Sequence, residues 1–251
     1  MRETVQKESA GIQVVSRAAA VLRAVKNQES GMSLGQIAET IDLPRSTVQR
    51  IVAALELERL LISSSNGGGI RLGPELLSLG VAARYNIVER CRPHLQELVK
   101  KTDETVDLAV LRGRRMIFLD QVQGGARLRT ISSIGEEFPV TTTANGRACL
   151  AKLDENEAKR LAMEEWQEFG IRSHWSNFNK QLNTIRRTNI AYDLNDHTSG
   201  ISAIGFAFYD SIGDLHAISV PIPSSRYAEK NQEVIKVLKQ TRTVVLRDLA
   251  Q

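Results

Sequence analysis

The sequence predicts an α+β protein, with a small helical region near its N-terminal end followed by a larger region of strands and helices. Three observations predict this class. Apolar residues recur with helical spacing between residues 14 and 55. Short β-rich runs separated by turn residues occupy much of residues 106–222, and a periodic segment over 229–249 closes the chain as a long helix. Strands mixed with terminal helices favour an antiparallel sheet flanked by helices.

Composition points to a soluble globular chain, because 42% of the residues are hydrophobic and 25% are charged. No apolar run approaches the roughly 20 residues that a membrane-spanning helix needs. Residues 1–11 lack the apolar core of a secretory signal, so we expect a cytoplasmic protein without membrane contact. Cys91 and Cys149 are predicted to be reduced and packed. The four histidines show no metal-ligand spacing, and neither a metal site nor a cofactor is expected.

Three helices are predicted before residue 58. Apolar residues from Val14 to Val25 form the stripe of an amphipathic helix. Ser33 can cap a second helix that begins at Leu34, since Gln36 stands where a capping box needs it. Pro44 ends that helix, because its ring disfavours a helical residue before it, and a third helix begins at residue 45 or 46.

The spacing of small and apolar residues predicts that the second and third helices form a helix-turn-helix. Ala38 permits a close approach, and Val48 and Ile51 stand where the third helix would contact it. Asp42 occupies the turn position that usually prefers glycine, and Asp tolerates a left-handed backbone better than most residues.

The remaining face of the third helix is rich in hydrogen-bond donors suited to phosphates and base edges. Two apolar runs, Leu60–Ile62 and Ile70–Leu72, flank a glycine-rich turn and predict a β-hairpin that would serve as a wing. Two alternatives stay open: a three-helix core without a DNA role, and a winged helix that binds another protein. The predicted DNA contacts are Ser33, Pro44, Arg45, Ser46, Thr47, Gln49, Arg50 and Arg71.

Five segments, taken in order and spacing, carry a family resemblance: SRAAAVLRAV, SLGQIAETIDLPRSTVQRIVAAL, IRLGPELLSLG, TTTANGRACLAKL and YDLNDHTSGISAIGFAFYDSIGDLHAISVPIP. The chain resembles an IclR-family transcriptional regulator over nearly its whole length. The resemblance implies a winged helix-turn-helix over 10–73, a linker helix over 74–90 and a GAF-like α/β effector-binding domain over 91–251. It also implies double-stranded operator DNA and a small-molecule effector as partners, and a homodimer or tetramer.

Patterns in the larger region agree with this plan. Ile201, Ile204, Phe206 and Phe208 are expected in the core rather than around a ligand. The predicted elements are helices over 74–90, 93–101, 144–153 and 229–249, a hairpin about residues 112–114, and strands over 126–134, 191–194, 202–210 and 215–222.

A ligand site is expected where the segment Thr141–Arg147 runs from a strand into a helix, because helix N-termini attract anions. The resemblance implies that the effector is a small carboxylate or an aromatic catabolite. Asp193 also suits a turn, Thr141 to Thr143 a capped strand end, and Ser219 an ordinary strand position. The effector contacts that the resemblance implies are Ala144, Asn145, Gly146, Asp193, Ala203 and Ser219.

Enzymatic activity is the competing class of function. A hydrolase or a nucleotide-dependent enzyme would be expected to carry a GxSxG elbow at a strand-to-helix turn, a Walker loop or a GxGxxG turn. The sequence contains no Walker loop and no GxGxxG turn, and its GxSxG spacing at Gly31–Gly35 follows a predicted loop rather than a strand and surrounds the predicted helix cap Ser33. No catalytic residue is therefore expected.

Overall fold

The computed structural model describes residues 5–26, 28, 30–63, 69–82 and 86–249. The chain forms two compact units, Met1–Arg84 and Tyr85–Gln251. None of the helices in these described stretches has the length and apolar character to cross a membrane. In chain order the elements are α1 Val5–Lys26, α2 Leu34–Thr40, α3 Arg45–Leu57, β1 Leu61–Ser63, β2 Ile70–Leu72, α4 Glu75–Ala82, α5 Asn86–Thr102, β3 Val106–Arg112, β4 Arg115–Val122, β5 Glu137–Pro139, α6 Ala144–Leu150, α7 Glu155–Phe169, α8 Trp175–Thr188, β6 Ala191–Leu194, β7 Ile201–Tyr209, β8 Leu215–Pro223 and α9 Ser224–Leu249.

The first unit is a three-helix core with a hairpin. The α2 start is capped as predicted, because the Gln36 amide donates to Ser33 Oγ at 3.3 Å and the Ser33 amide donates to Gln36 Oε1 at 2.8 Å. Asp42 has a φ of 51°, so the turn uses the left-handed backbone expected there. The predicted helix-turn-helix is confirmed. Its buried apolar core consists of Val21, Val25, Met32, Ile37, Val48, Val52, Leu55, Leu61 and Ile70.

The α1 stripe is shorter than its sequence pattern indicates. Val21 and Val25 are buried, whereas Val14 and Val15 remain 60% and 70% exposed. The buried core of this unit draws on α1 only from Val21 onward, so the two earlier valines have no buried partner surface within the described residues. They leave an apolar strip on the surface of α1.

Strands β1 and β2 form the predicted antiparallel hairpin, with Leu61 opposite Leu72 and Ser63 opposite Ile70. A single bridge joins Met32 to Ile70, which ties the hairpin to the segment before α2. The predicted glycine-rich turn includes residues 64–68, which lie outside the described residues.

The second unit is built on a six-stranded sheet in the order β5-β4-β3-β8-β7-β6. Every pair is antiparallel, as the sequence predicts. Two three-stranded meanders, β3-β4-β5 and β6-β7-β8, join edge to edge through β3 and β8.

The two faces of this sheet differ in side-chain size. Large residues such as Ile204, Phe206 and Phe208 point to one face, where α5 and α9 cover them, so the predicted core positions are confirmed there. The other face carries small residues, including Ala109, Ala207 and Ala217, and is covered by α6, α7 and α8. Small side chains let α6 lie close to the sheet. Ile201 departs from the prediction, because it faces a cavity.

The predicted strand over 126–134 is wrong. This segment is irregular, and its apolar residues Leu128, Ile131 and Ile134 are exposed. Side chains from other segments satisfy some of its backbone hydrogen-bonding groups. Thr105 Oγ1 donates to the Thr130 carbonyl at 3.1 Å, and Gln121 Oε1 accepts from the Ser132 amide at 3.3 Å. The strand that pairs with β4 is β5 instead.

Helix boundaries near the join of the two units also differ from prediction. The sequence predicts one helix over 74–90 and another over 93–101, but α4 ends at Ala82 and α5 runs through Pro93 from Asn86. Residues 83–85 lie outside the described residues. Burial explains the continuous α5, because Ile87, Cys91 and Leu95 recur every four positions on one buried stripe. Similarly, α9 begins five residues before its predicted start at residue 229.

Candidate nucleic-acid interface and ligand cavity

Helix α3 presents a polar face to solvent. Arg45, Ser46, Gln49 and Arg50 are exposed, and their spacing of four positions places them on one side of the helix. Val48 is fully buried on the opposite side. Thr47 is half-buried, so it lies at the edge of this face.

Three cationic groups of this unit are available to an external partner. Arg45, Arg50 and Arg71 are exposed, and none of them forms an ion pair with another described residue. Arg71 lies on β2 opposite Ile62, and exposed Pro44 is the N-cap residue of α3. Unpaired guanidinium groups suit phosphates and guanine edges. Ser33 is exposed at the start of α2, with its hydroxyl in the capping box.

A cavity of about 460 Å³ lies in the second unit, between the small-residue face of the sheet, the start of α6 and the segment 129–138. That volume suits a small organic molecule. Its lining residues are Asp107, Phe118, Arg129, Thr130, Ile131, Ser132, Glu136, Phe138, Thr143, Ala144, Asn145, Asp193, His197, Thr198, Ile201, Ala203, Ser219 and Pro221.

The floor of the cavity is set by strand register. Asp107 on β3 lies opposite Ser219 on β8, and Ser219 lies opposite Gly205 on β7. A Cβ atom on Gly205 would come within 3.0 Å of the Ser219 Cβ and 2.8 Å of the Ile218 carbonyl oxygen. A side chain at this position would therefore force a shift, and glycine lets Ser219 pack directly against β7.

Asp107 is the least expected group in this floor. It is only 2% exposed, and Gln121 Nε2 donates to its Oδ1 at 2.6 Å. Burial raises the pKa of this carboxyl to about 7, and the hydrogen bond from Gln121 opposes that shift. Near neutral pH it therefore exchanges between an acid and a carboxylate.

The corner between β5 and α6 is held by the buried carboxylate of Glu165. This carboxylate accepts hydrogen bonds from the amides of Val140 and Thr141 and from the Thr141 hydroxyl. Gly146 packs so closely that a Cβ on it would lie 2.3 Å from Val140 Cα. The Gly146 amide donates to Thr143 Oγ1 at 3.1 Å, so the capped strand end considered above is present.

A second set of bonds ties this corner to the end of β6. Arg147 donates to the Thr141 carbonyl at 2.7 Å and to the Tyr192 carbonyl at 2.8 Å, and it pairs with Asp196 at 2.8 Å. Asp193 Oδ1 in turn accepts from the Asp196 amide at 2.8 Å, so Asp193 shapes a turn as well as lining the cavity. Burial raises the pKa of Asp193.

The structure brings five of the six predicted effector residues around one cavity: Ala144, Asn145, Asp193, Ala203 and Ser219. Gly146 is absent from the lining, because it packs against Val140 and its amide is used by Thr143. Asn145 Oδ1 is buried and has no hydrogen-bond partner among the described residues.

Sequence reasoning missed Asp107 and the aromatic wall of the cavity. Phe138 packs edge to face against Phe118, with ring centroids 4.6 Å apart, and against His197 at 5.0 Å. Burial lowers the pKa of His197. A lone acid inside the apolar run Val106–Val110 was the available signal for Asp107. The aromatic residues gave no such signal, because they come from three separate parts of the chain.

One cluster of described residues has metal-ligating side chains, Asp210, Asp214 and His216 at the turn between β7 and β8. Existing partners account for it: Asp210 contacts His216 Nε2 at 2.9 Å, and Asp214 pairs with Arg112.

The first unit is a helix-turn-helix with a wing and a basic helix face without ion pairs to other described residues, and the second unit encloses a ligand-sized cavity. Together these features define a DNA-binding transcriptional regulator with an effector domain. Comparison with known families agrees. A model of the IclR helix-turn-helix domain matches residues 14–62, and one of the bacterial transcriptional regulator IclR C-terminal domain matches residues 79–245. The chain belongs to the IclR family, which confirms the resemblance seen in its sequence.

Individual relatives cover nearly the whole chain. The HTH-type transcriptional regulator Rv1719 of Mycobacterium tuberculosis is 39% identical, over 92% of this chain and 90% of its own length. The HTH-type transcriptional regulator TtgV of Pseudomonas putida is 33% identical, over 96% and 93%. Among solved structures, an IclR homolog from Microbacterium hydrocarbonoxydans complexed with 4-hydroxybenzoate has a TM-score of 0.76 at 17% identity, covering 94% of this chain and 99% of its own.

Replacing Gly146 with alanine should destabilise the second unit, because the new methyl group would overlap Val140 backbone atoms at 2.3 Å. We expect a loss of about 1–3 kcal/mol or more in the free energy of unfolding, measured by urea titration with circular dichroism. Gly35→Ala is the control, since a Cβ there meets only Ser33 Oγ at 3.9 Å. Helix propensity should make that variant slightly more stable. Equal stability of Gly146→Ala and wild type would contradict the proposed close packing.

Asp107 should make the stability of the second unit depend on pH. Its pKa is raised to about 7 in the folded state, so folded protein retains a proton that unfolded chains release above their ordinary carboxyl pKa. The contribution of Asp107 to the free energy of unfolding is complete at low pH, below the carboxyl pKa of the unfolded chain, and is lost as the pH rises through about 7. Wild type should therefore lose on the order of 2 kcal/mol between pH 5 and pH 8 relative to Asp107→Asn. Tryptophan fluorescence in urea reports this, because Trp166 and Trp175 both lie in the second unit. Parallel pH profiles for the two proteins would refute it.

Proposed function

We propose that this regulator reads a palindromic operator as a dimer and that a small aromatic effector, bound in the 460 Å³ cavity, controls its DNA binding. The observation that carries the proposal is the pairing, in one chain, of an unpaired basic α3 face with a cavity that has an aromatic wall. The domain division stated above, with DNA contacts in residues 10–73 and effector contacts in 91–251, is part of the proposal.

On DNA, α3 would lie in the major groove with Arg45, Gln49 and Arg50 toward base edges and phosphates. Ser33, Pro44, Ser46 and Thr47 would add contacts at the helix ends, and Arg71 on the hairpin would bind a phosphate. A three-helix unit that bound another protein would be expected to expose an apolar patch on α3 rather than a polar one.

The cavity lining favours an aromatic compound over a simple carboxylate. Phe118, Phe138 and His197 provide ring contacts, while Asp107, Glu136 and Asp193 would repel an anion placed near them. The one arginine in the lining, Arg129, is exposed and already donates to the Ala126 carbonyl at 3.3 Å. A distant structural relative was crystallised with 4-hydroxybenzoate, which supports an aromatic molecule of this size.

We propose that exposed apolar side chains on α1 and α4 bind a second copy of the chain, and that a tetramer would be two such dimers. Val14 and Val15 are 60% and 70% exposed, and Leu77 and Leu79 are 75% and 51% exposed. Neighbouring exposed apolar side chains, two on each of these helices, are typical of a contact surface. Two α3 helices in a symmetric dimer would fit half-sites one helical turn apart.

Arg50→Ala should weaken operator binding, because it removes a cation from the exposed α3 face. We expect roughly 1–3 kcal/mol less binding free energy and a salt dependence reduced by about one ion, measured by fluorescence anisotropy across salt concentrations. Arg172→Ala is the matched control, because it removes an exposed arginine from the second unit. Asp193→Asn should do the reverse: it removes a carboxylate acceptor from the cavity lining, so affinity for a neutral phenol such as 4-methylphenol should fall while operator affinity stays unchanged. If Arg50→Ala and Arg172→Ala bind the operator equally, α3 is not the reading helix.

Val15→Glu should shift the protein from dimer to monomer, because it places a charge in the proposed α1 contact. Sedimentation velocity at micromolar concentration measures this directly. The change should leave the fold intact, since the side chain is 70% exposed. Ile212→Glu is the control, because Ile212 is an equally apolar residue, 81% exposed, in the turn between β7 and β8. An unchanged sedimentation coefficient for Val15→Glu would remove α1 from the interface.

A further inference from the structure

We infer that Asp107 selects effectors whose buried end carries a hydrogen-bond donor, a hydroxyl or an amino group, next to an aromatic ring. The inference rests on the aromatic effector proposed above and adds to it the residue that sets the polarity of the ligand. Asp107 is a floor residue of the cavity.

The position of Asp107 makes it a contact for the end of a ligand that reaches the sheet. It is 2% exposed and faces the cavity from the middle of the sheet, with β4 on one side and β8 on the other. Its cross-strand neighbour Ser219 is 3% exposed and shares the same face. Directly opposed residues of this kind lie about 5 Å apart, so one ligand group can contact both side chains.

The hydrogen bonds around Asp107 leave an acceptor for the ligand. Gln121 Nε2 donates to Oδ1 at 2.6 Å, and Gln121 is held in that orientation because its Oε1 accepts from the Ser132 amide at 3.3 Å. Oδ2 receives no hydrogen bond from any residue in the described part of the chain. Because Asp107 lines the cavity, a ligand hydroxyl or amine could donate to this oxygen the hydrogen bond that the protein does not supply.

The other groups that face Asp107 reinforce this preference. The segment over it contributes Glu136 and Arg129, and the β6 end contributes Asp193 and His197. The remaining faces carry polar groups without charge: Gln121 on β4, Ser219 on β8 and Asn145 on α6. Asn145 Oδ1 is a second buried acceptor without a partner. An anionic ligand end at this depth would meet carboxylates, whereas a donor would meet acceptors.

The ring of the ligand would then lie against the aromatic wall. Phe118 belongs to β4, next to β3, and stacks edge to face on Phe138 with centroids 4.6 Å apart. A donor at the floor and a ring at this wall define one orientation. A phenol or an aromatic amine fits it, and a benzoate fits it only with the carboxylate away from Asp107.

The test compares 4-methylphenol with 4-fluorotoluene, in which fluorine replaces the hydroxyl at nearly the same size. Calorimetric titration of the full-length wild type should give at least tenfold tighter binding of 4-methylphenol. In Asp107→Asn, the amide oxygen can keep the bond from Gln121 while its NH2 group turns a donor toward the ligand. The variant should lose about tenfold or more in affinity for 4-methylphenol and leave 4-fluorotoluene nearly unchanged.

Asp120→Asn is the matched control. Asp120 is an equally buried carboxylate of the neighbouring strand, 3% exposed, but it pairs with Arg92 at 2.6 Å and lies outside the cavity lining. This variant should retain the wild-type preference for 4-methylphenol. A matching loss in both variants would mean that sheet distortion, rather than contact, causes the effect, and would overturn the inference.

A pH profile of the wild type gives an independent readout that needs no variant. Because the carboxyl titrates at about pH 7, affinity for 4-methylphenol should rise several-fold between pH 6 and pH 8, while the phenol itself stays neutral. Burial lowers the pKa of His197 from its ordinary value, so its titration moves away from pH 7. Asp107→Asn should flatten the profile.

The outcomes separate this inference from the proposed function. Binding of both compounds with equal affinity, or an unchanged preference in Asp107→Asn, overturns the role of Asp107 and leaves the aromatic effector in place. Failure of both compounds to bind the wild type at millimolar concentration contradicts the aromatic effector itself, and the inference falls with it.

Discussion

A buried carboxylate, that of Glu165, holds the part of the second unit on which the ligand cavity depends. It accepts bonds from two successive amides, Val140 and Thr141, and from the Thr141 hydroxyl, at the point where the chain leaves β5 and starts α6. These bonds satisfy polar groups that burial would otherwise penalise. They also fix the direction of α6, so Asn145 and Thr143 line the cavity.

Close packing between α6 and the sheet also fixes the position of this helix. Gly146 lets the first turn of α6 touch Val140, and small residues on the facing side of the sheet let the helix lie near β7. The other face of the same strands carries phenylalanines and isoleucines, which would leave no space for a ligand. The cavity therefore exists because one face of the sheet is small and its helix covers only part of it. Arg147 joins this corner to the β6 turn through the Tyr192 carbonyl and Asp196.

The two units follow different physical rules. In the first unit, apolar packing of short helices leaves Arg45 and Arg50 in solvent, where a charge loses no hydration free energy and a polyanion can reach it. In the second, Asp107 and Asp193 are held out of solvent, where charge is costly and a single donor matters. Long-range attraction suits a DNA surface that is the same along its length. Short-range, desolvated contacts suit the choice between similar small molecules.

The sequence by itself determined the elements whose signals are local. The capping box at Ser33, the turn at Asp42, helix α3 and the strands β7 and β8 were all predicted, because each depends on neighbours a few positions away. Family resemblance located five residues that the fold gathers around one cavity. Only the tertiary structure decided the rest. Strand register placed Asp107 beside Ser219, and burial of one helix face kept α5 continuous through Pro93. Hydrogen bonds from side chains distant in sequence hold residues 126–134 in an irregular conformation instead of the predicted strand. Those outcomes depend on pairings between separate segments, which no local pattern encodes.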